Sequence, residues 1–382
     1  MQKSFDEVVL FARTGLNPRT NFKLGHGENK YITIKNIHNN HMIIDDNTDV
    51  VDDEAISLIH KRSQIKKGDI LFCSIGRLGD MFIIDDDPVG WDINESVFAF
   101  TLDTDVIRQK YFYYLFKNRD TIEYLSKNSS GSTFKSIKMN QLKKMRFDLP
   151  SLEEQDQIVQ TLDSITSIIY SRQQELTKLD ELIKARFVEL FGSDPFSNEK
   201  NFPLYRMEDV VAFQGGSQPA KKYFEYEQTE DNIRLIQIRD YKTDAYKTYI
   251  PKSMAKRYCS ADDIMIGRYG PPIFQILQGI EGSFNVALMK ATPKMGNKEF
   301  IRQFLKQDCL LHYLEGMSTR TAGQDGIQMD KLKEYPFPMP PTELQDQFEV
   351  FIKQVDKSKV AVQKSLDETQ VLFNSLMQQY FG

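Results

Sequence analysis

The chain has 382 residues, 40% hydrophobic and 27% charged, with a formal net charge of −5. That is room for two or three ordinary domains in a balance typical of soluble globular proteins. No apolar run is long enough to cross a bilayer. The opening Met1-Gln2-Lys3-Ser4-Phe5-Asp6 lacks a signal peptide's apolar core, and Cys73, Cys259 and Cys309 lie too far apart for a disulfide framework or a zinc cluster. A reducing cytoplasm is the expected location.

In chain order, 31–37 reads as a strand, and Asp69-Ile70-Leu71-Phe72 as a strand start after a turn, running on to Gly76. A further apolar run covers 94–100 and a helical pattern 106–126. A polar loop over 129–136 and the pair Ile137 and Met139 follow. Charge is uneven. Residues 1–102 carry sixteen acids against eleven bases, whereas 103–150 carry five against ten, ending in Lys135, Lys138, Lys143, Lys144 and Arg146. Such a run is most often a solvated face, but a phosphate-facing edge needs the same residues.

Pro150 then opens a long helix, with Ser151 and Glu154 at capping-box spacing. Its apolar positions step by four and three through Ile158, Leu162, Ile165, Ile169, Leu176, Leu179, Ile183 and Leu190, a heptad seam broken at Arg172 and Arg186. Phe191-Gly192 closes it.

The second half repeats this order. Residues 233–238 read as a strand, Asp263-Ile264-Met265-Ile266 as a strand start running to Gly270, and 285–289 as an apolar run. A helical pattern covers 299–315, a polar loop 318–326, and Ile327 and Met329 match Ile137 and Met139. Phe147, Pro150, Glu153, Gln155, Asp156, Gln157, Gln173, Leu176 and Leu182 recur 190 positions later as Phe337, Pro340, Glu343, Gln345, Asp346, Gln347, Gln363, Leu366 and Leu372. Thr342 and Gln345 have the capping-box spacing, displaced by one column. The second seam runs through Phe348, Ile352, Val355, Val362, Leu366, Phe373, Leu376 and Tyr380, with polar breaks at Lys359 and Thr369. Phe381-Gly382 closes it as Phe191-Gly192 closes the first.

The chain is thus a tandem duplication: globular 1–150, helix 151–192, globular 193–340, helix 341–382. Short β-branched and aromatic strands mixed with helices make each globular unit α+β. The alternative is two amphipathic helices that each pack on their own domain; a seam sustained in both copies favours pairing of the two. A helix of about 40 residues is roughly 60 Å long, about 18 base pairs of B-DNA as an upper limit. An antiparallel pair would place one globular unit at each end.

These residues resemble a family, the DNA-specificity subunit of type I restriction-modification enzymes, over essentially the whole chain. The resemblance is carried by Phe147-Asp148-Leu149-Pro150-Ser151-Leu152-Glu153-Glu154-Gln155 and its counterpart Phe337-Pro338-Met339-Pro340-Pro341-Thr342-Glu343-Leu344-Gln345. Lys67-Gly68-Asp69-Ile70-Leu71-Phe72 and the Phe-Gly helix ends add to it. The second unit departs from the Lys-Gly-Asp turn with Ala261-Asp262-Asp263-Ile264. The resemblance implies two pseudo-repeated α+β target-recognition domains, each reading one half of a bipartite DNA site. It implies two long helices forming an antiparallel coiled coil that sets the unread spacer and docks two methyltransferase subunits. Unequal units imply an asymmetric target. In a larger assembly two restriction subunits join, and S-adenosylmethionine belongs to the methyltransferase partner, with no cofactor expected in this chain.

Catalytic patterns are few. Tyr269-Gly270-Pro271-Pro272-Ile273-Phe274 lacks the amide or acid that an adenine methyltransferase motif requires, and no phosphate-binding glycine loop with its lysine occurs. His38-Asn39-Asn40-His41 and Asp85-Asp86-Asp87 read as surface turns rather than metal sites. The chain is expected to bind rather than catalyse. Candidate DNA contacts are Arg77, Ser132, Thr133, Lys135 and Lys138 in the first unit, and Arg268, Tyr269, Arg320, Thr321 and Gln324 in the second. They combine phosphate donors with groups able to face guanine or adenine edges. Each alone is more readily a surface residue than a base reader; the matching positions in both copies strengthen the set. The competing classes are a fused restriction or methyltransferase enzyme and a coiled-coil scaffold joining two protein-binding modules.

Overall fold

A computed structural model describes residues 2–131, 134–269, 273–316 and 327–382. The chain divides into two compact units, Met1–Gln173 with Lys364–Gly382, and Gln174–Gln363, so each unit holds a stretch of both long helices.

In the first unit the central sheet is antiparallel, in the order Val9–Thr14, Val97–Leu102, Ile70–Cys73, Met81–Ile83. Strand Ile70–Cys73 is buried along its whole length. Its alternate residues feed two cores: Ile70 and Phe72 join Phe5, Phe100, Phe112 and Phe116, while Leu71 and Cys73 join Ile32, Ile93 and Ala99. A second sheet places Asn29–Ile32 parallel to Trp91–Ile93, with Val50–Val51 on its other side. Gln2–Ser4 pairs with Arg146–Asp148, tying the start of the unit to the approach to the first long helix.

The second unit repeats this plan with different residues. Its central sheet runs Val211–Gly215, Leu288–Pro293, Ile264–Gly267, Gln275–Gln278. Asn232–Ile236 lies parallel to Gly282–Phe284, and Leu204–Arg206 pairs with Pro336–Pro338.

Several boundaries differ from the sequence reading. The strand expected over 31–37 is Asn29–Ile32, after which Ile37–His38 starts a separate hairpin with His41–Met42. The strand expected over 233–238 stops at Ile236, before a short helical turn, Ile238–Tyr241. The run 94–100 becomes a strand only at Val97, because the Asn94 Oδ1 accepts the Ser96 N–H (3.0 Å) in a turn; Asn285 does the same for Ala287 (3.1 Å). The helical pattern 106–126 is two helices, Gln109–Lys117 and Arg119–Asn128, and 299–315 is likewise Lys298–Leu305 and Asp308–Gly316. Asn118 makes the first break, with extended backbone and its side chain capping the Thr121 N–H at 2.7 Å.

The two long helices are Leu152–Phe191 and Thr342–Phe381. In the first unit Leu162 and Met377 are buried together with Tyr114, flanked by Ile158, Phe373, Leu376 and Tyr380. The beginning of one helix therefore packs on the end of the other. In the second unit the Phe191 and Phe348 rings are 5.2 Å apart, and Asp180 meets Lys359 at 2.6 Å. Moving back along the first helix moves forward along the second, so the pair is antiparallel. Ile165 and Ile183 are buried on the first helix, and Ile169, Leu176, Leu179 and Leu190 half-buried. On the second, Ile352, Val355 and Val362 are buried and Leu366 half-buried. The break at Lys359 is an interhelical ion pair.

The Ser151 and Glu154 capping box forms, with the Ser151 N–H and Oγ–H both donating to Glu154 Oε2 at 2.9 and 2.8 Å. Its expected counterpart does not. Gln345 is equivalent to Gln155, not Glu154, and turns inward: its Oε1 accepts the Asn297 N–H (2.7 Å) and its Nε2 donates to the Pro340 C=O (2.7 Å).

Candidate nucleic-acid interface

In the first unit, strand Ile70–Cys73 leads to a tight turn at Gly76, whose φ of +71° favours glycine. A Cβ at Gly76 would also stand 3.0 Å from Ile34. The Gly76 N–H donates to the Lys135 C=O at 3.0 Å, and Ile75 bridges Ser136. Three segments thus meet at one end of the sheet: 33–38 after the parallel strand, 74–79 after the central strand, and 134–137 after the helix pair. Arg77, Phe134, Lys135 and Lys138 are all exposed there. Arg77 is steadied by Nη1 donating to the Ile37 C=O at 3.4 Å, and the Lys135 Nζ donates to the Ser126 Oγ. Ser132 and Thr133 lie outside the described residues.

The second unit builds the same corner with other chemistry. After strand Ile264–Gly267, the Arg268 N–H donates to the Ala287 C=O (2.9 Å) and its guanidinium lies over the Tyr269 ring at 5.3 Å. A Cβ at Gly267, the last residue of that strand, would fall 2.9 Å from Ile238. Lys35, next to Ile34, and Arg239, next to Ile238, are exposed. Arg320, Thr321 and Gln324 lie outside the described residues.

Sequence reasoning missed several groups. Lys35 and Arg239 sit at equivalent places, one residue past Ile34 and Ile238 and three past the ends of the parallel strands. The signal was a basic residue a few positions beyond a strand in both halves. Phe134 presents a 66% exposed ring beside Lys135. In the second unit Tyr226, Arg239, Tyr246, Lys247 and Tyr249 line a cleft of about 540 Å³. Tyr226 and Tyr246 are 74% and 66% exposed, an arrangement suited to stacking beside phosphate-seeking cations.

Nucleophilic chemistry finds no support at these corners. Burial pushes the Cys73 thiol up to about 12 and the Cys259 thiol up to about 11, so both stay protonated near neutral pH. His38 and His41 flank a turn in which Asn39 and Asn40 have positive φ, and the Asn40 Oδ1 accepts the Ile83 N–H at 2.9 Å. Asp85, Asp86 and Asp87 are exposed. Among the described residues no cluster of His, Cys, Asp and Glu is arranged to hold a metal ion, and no helix is long and apolar enough to cross a membrane.

The type I restriction modification DNA specificity domain family matches residues 2–181 and again 199–369. The chain belongs to this family. Both halves of the chain thus carry the DNA specificity domain of type I restriction-modification systems. The chain is 28% identical over 177 residues to the type I restriction enzyme MjaIX specificity subunit of Methanocaldococcus jannaschii, covering 37% of this chain and 40% of that one. The chain therefore spans less than half the length of that curated relative. The fold resembles the type I restriction-modification S subunit from M. genitalium, with a TM-score of 0.54 at 16% identity over 100% of this chain and 96% of that one. It also resembles a chain from a structural study of complex assembly and conformational transition of the type I R-M system. There the TM-score is 0.56 at 16% identity, over 100% and 97% of the two chains.

Proposed function

We propose that this chain is a specificity subunit that reads a bipartite, asymmetric duplex target, one half by each globular unit, and recruits the subunits that modify it. The observation carrying this reading is that one structural corner is built twice with different side chains. Lys35, Arg77 and Lys135 stand at the first unit's corner, and Arg239, Arg268 and Tyr269 at the second's, with Lys35 and Arg239 at equivalent positions. Duplicated position with altered chemistry is what two different half-sites require.

The functional divisions are 1–150 and 193–340 as target-recognition domains, and 151–192 and 341–382 as spacer helices. Arg77, Lys135 and Lys138 hold phosphates, with Ser132 and Thr133 beside them. Arg268 and Tyr269, with Arg320, Thr321 and Gln324, face bases and backbone of the other half. Two methyltransferase subunits bind along the helix pair and bring S-adenosylmethionine. Two restriction subunits complete the larger assembly, in the cytoplasm where its DNA resides.

The test is reconstitution. The purified chain should bind duplex DNA with strong salt dependence and transfer no methyl group. Methylation should appear only when the methyltransferase subunit and S-adenosylmethionine are added. Methyl transfer by the chain alone would overturn the reading, and so would binding without preference for any duplex sequence.

A further inference from the structure

Phe134 stands at the first unit's corner with its ring in solvent. At 66% exposure it is the most exposed phenylalanine among the described residues. The next two have partners. The Arg13 guanidinium lies 5.9 Å from the Phe11 ring centre, and the Phe196 ring lies 5.4 Å from Tyr335.

The backbone fixes the Phe134 ring in this place. Ser130 and Ser136 exchange N–H···O=C bonds at 2.9 and 2.8 Å, and the Ile137 N–H donates to the Ser74 C=O at 2.9 Å. Gly131 has a φ of +108°, and a Cβ there would collide with the Phe134 carbonyl. A Cβ at Gly76 would lie 4.0 Å from Phe134 Cδ1, so the ring rests against the Gly76 turn.

Its surroundings are cationic. Segments 33–38, 74–79 and 134–138 contain Lys35, Arg77, Lys135 and Lys138 and no Asp or Glu. All four cations are exposed. Asp80, whose N–H donates to the Arg77 C=O, is already paired with Lys117 at 2.8 Å. A phenylalanine has no polar handle with which to hydrogen-bond a phosphate or a base edge, so it can only stack or pack. Cations around an apolar ring are what a wedge into DNA needs. They hold the phosphates on either side, while the ring replaces the stacking that it breaks.

We propose that Phe134 inserts between two adjacent base pairs of the half-site facing the first unit, unstacking that step and kinking the duplex there. This rests on the reading of the unit as a DNA reader. Its consequence is selectivity without a base-edge contact: a step that unstacks readily, such as TA or CA, is favoured at the point of insertion.

The test uses the full chain without a methyltransferase partner, so that no base movement in the partner contributes. The probes are duplexes carrying the target motif with 2-aminopurine at successive positions of one block. Binding should raise the fluorescence at a single step. Phe134→Ala should abolish that rise and weaken binding at least about tenfold. The salt dependence should stay unchanged, because no phosphate contact is lost. Phe134→Leu, a smaller wedge, should keep part of the rise. Because the ring is exposed, both variants should melt as the unaltered chain does. Binding without any rise, or a rise that survives in Phe134→Ala, overturns the proposal and leaves DNA reading by the unit intact. So does a loss of affinity reproduced by replacing one thymine with uracil and unaccompanied by a rise, which would seat the ring on a thymine methyl instead. Binding without preference for any duplex would overturn the reading and the proposal together.

Discussion

Gln155 is fully buried and holds three backbone groups at once. Its Oε1 accepts the Arg108 N–H at 2.9 Å, and its Nε2 donates to the carbonyls of Val106 and Pro150, both at 3.1 Å. Arg108 caps the helix Gln109–Lys117, so this one side chain ties the start of the long helix to the start of the domain helix. Gln345 repeats the arrangement on Asn297, the cap of Lys298–Leu305. Buried groups stripped of partners cost about 1–3 kcal/mol each. Gln155→Leu should therefore lower stability by about 2–4 kcal/mol in urea unfolding; a loss below about 0.5 kcal/mol would show that the tie is dispensable. The recurrence of this glutamine was visible in the sequence. Its task was not, because Val106 and Arg108, two of the residues it bonds, lie nearly fifty residues upstream.

At the same scale, the two candidate corners make separable predictions. Arg77→Ala and Lys135→Ala should weaken binding to all duplexes alike, each reducing the salt slope by about one. Arg268→Ala should relax preference at one position of a single half-site, costing about 1–3 kcal/mol against the cognate base. Gel shifts over a salt series with single-base variants distinguish these outcomes, and the reverse pattern would exchange the roles of the two corners.

Among the elements, the long helices were the most legible, because heptad spacing over forty residues is a strong local signal. The domain helices were less so: apolar periodicity continues through Asn118, and only its capping role marks the break. The sheets were the least legible. Val9–Thr14 pairs with Val97–Leu102 across more than eighty intervening residues, which no local pattern specifies. Within the helix pair the apolar and polar seam positions should behave differently. Leu162 is fully buried, so Leu162→Ala should cost about 2–5 kcal/mol. Lys359 pairs with an Asp180 whose side chain is 63% exposed, so Lys359→Leu should change stability by less than about 1 kcal/mol. Urea titration of both variants checks the contrast. Equal losses would mean that the ion pair, and not only the apolar seam, holds the helices.

For the molecule as a whole, the same strand order built twice with unequal side chains makes it a duplicated pair of domains rather than one enlarged domain. Of the candidate contacts named from the sequence, Arg77, Lys135 and Lys138 are exposed at the first corner. The corner geometry was not legible, since Ile34 approaches Gly76 and Ile238 approaches Gly267 from distant segments. If each unit reads its own half-site, the halves should be exchangeable one at a time. The decisive measurement is the methylated motif in genomic DNA from cells carrying this chain and its methyltransferase partner. It should be compared with a variant in which residues 1–140 come from another family member. The account predicts two short specified blocks separated by an unspecified spacer, with only one block changed by the exchange. A single continuous motif, or an exchange that alters both blocks, would contradict it.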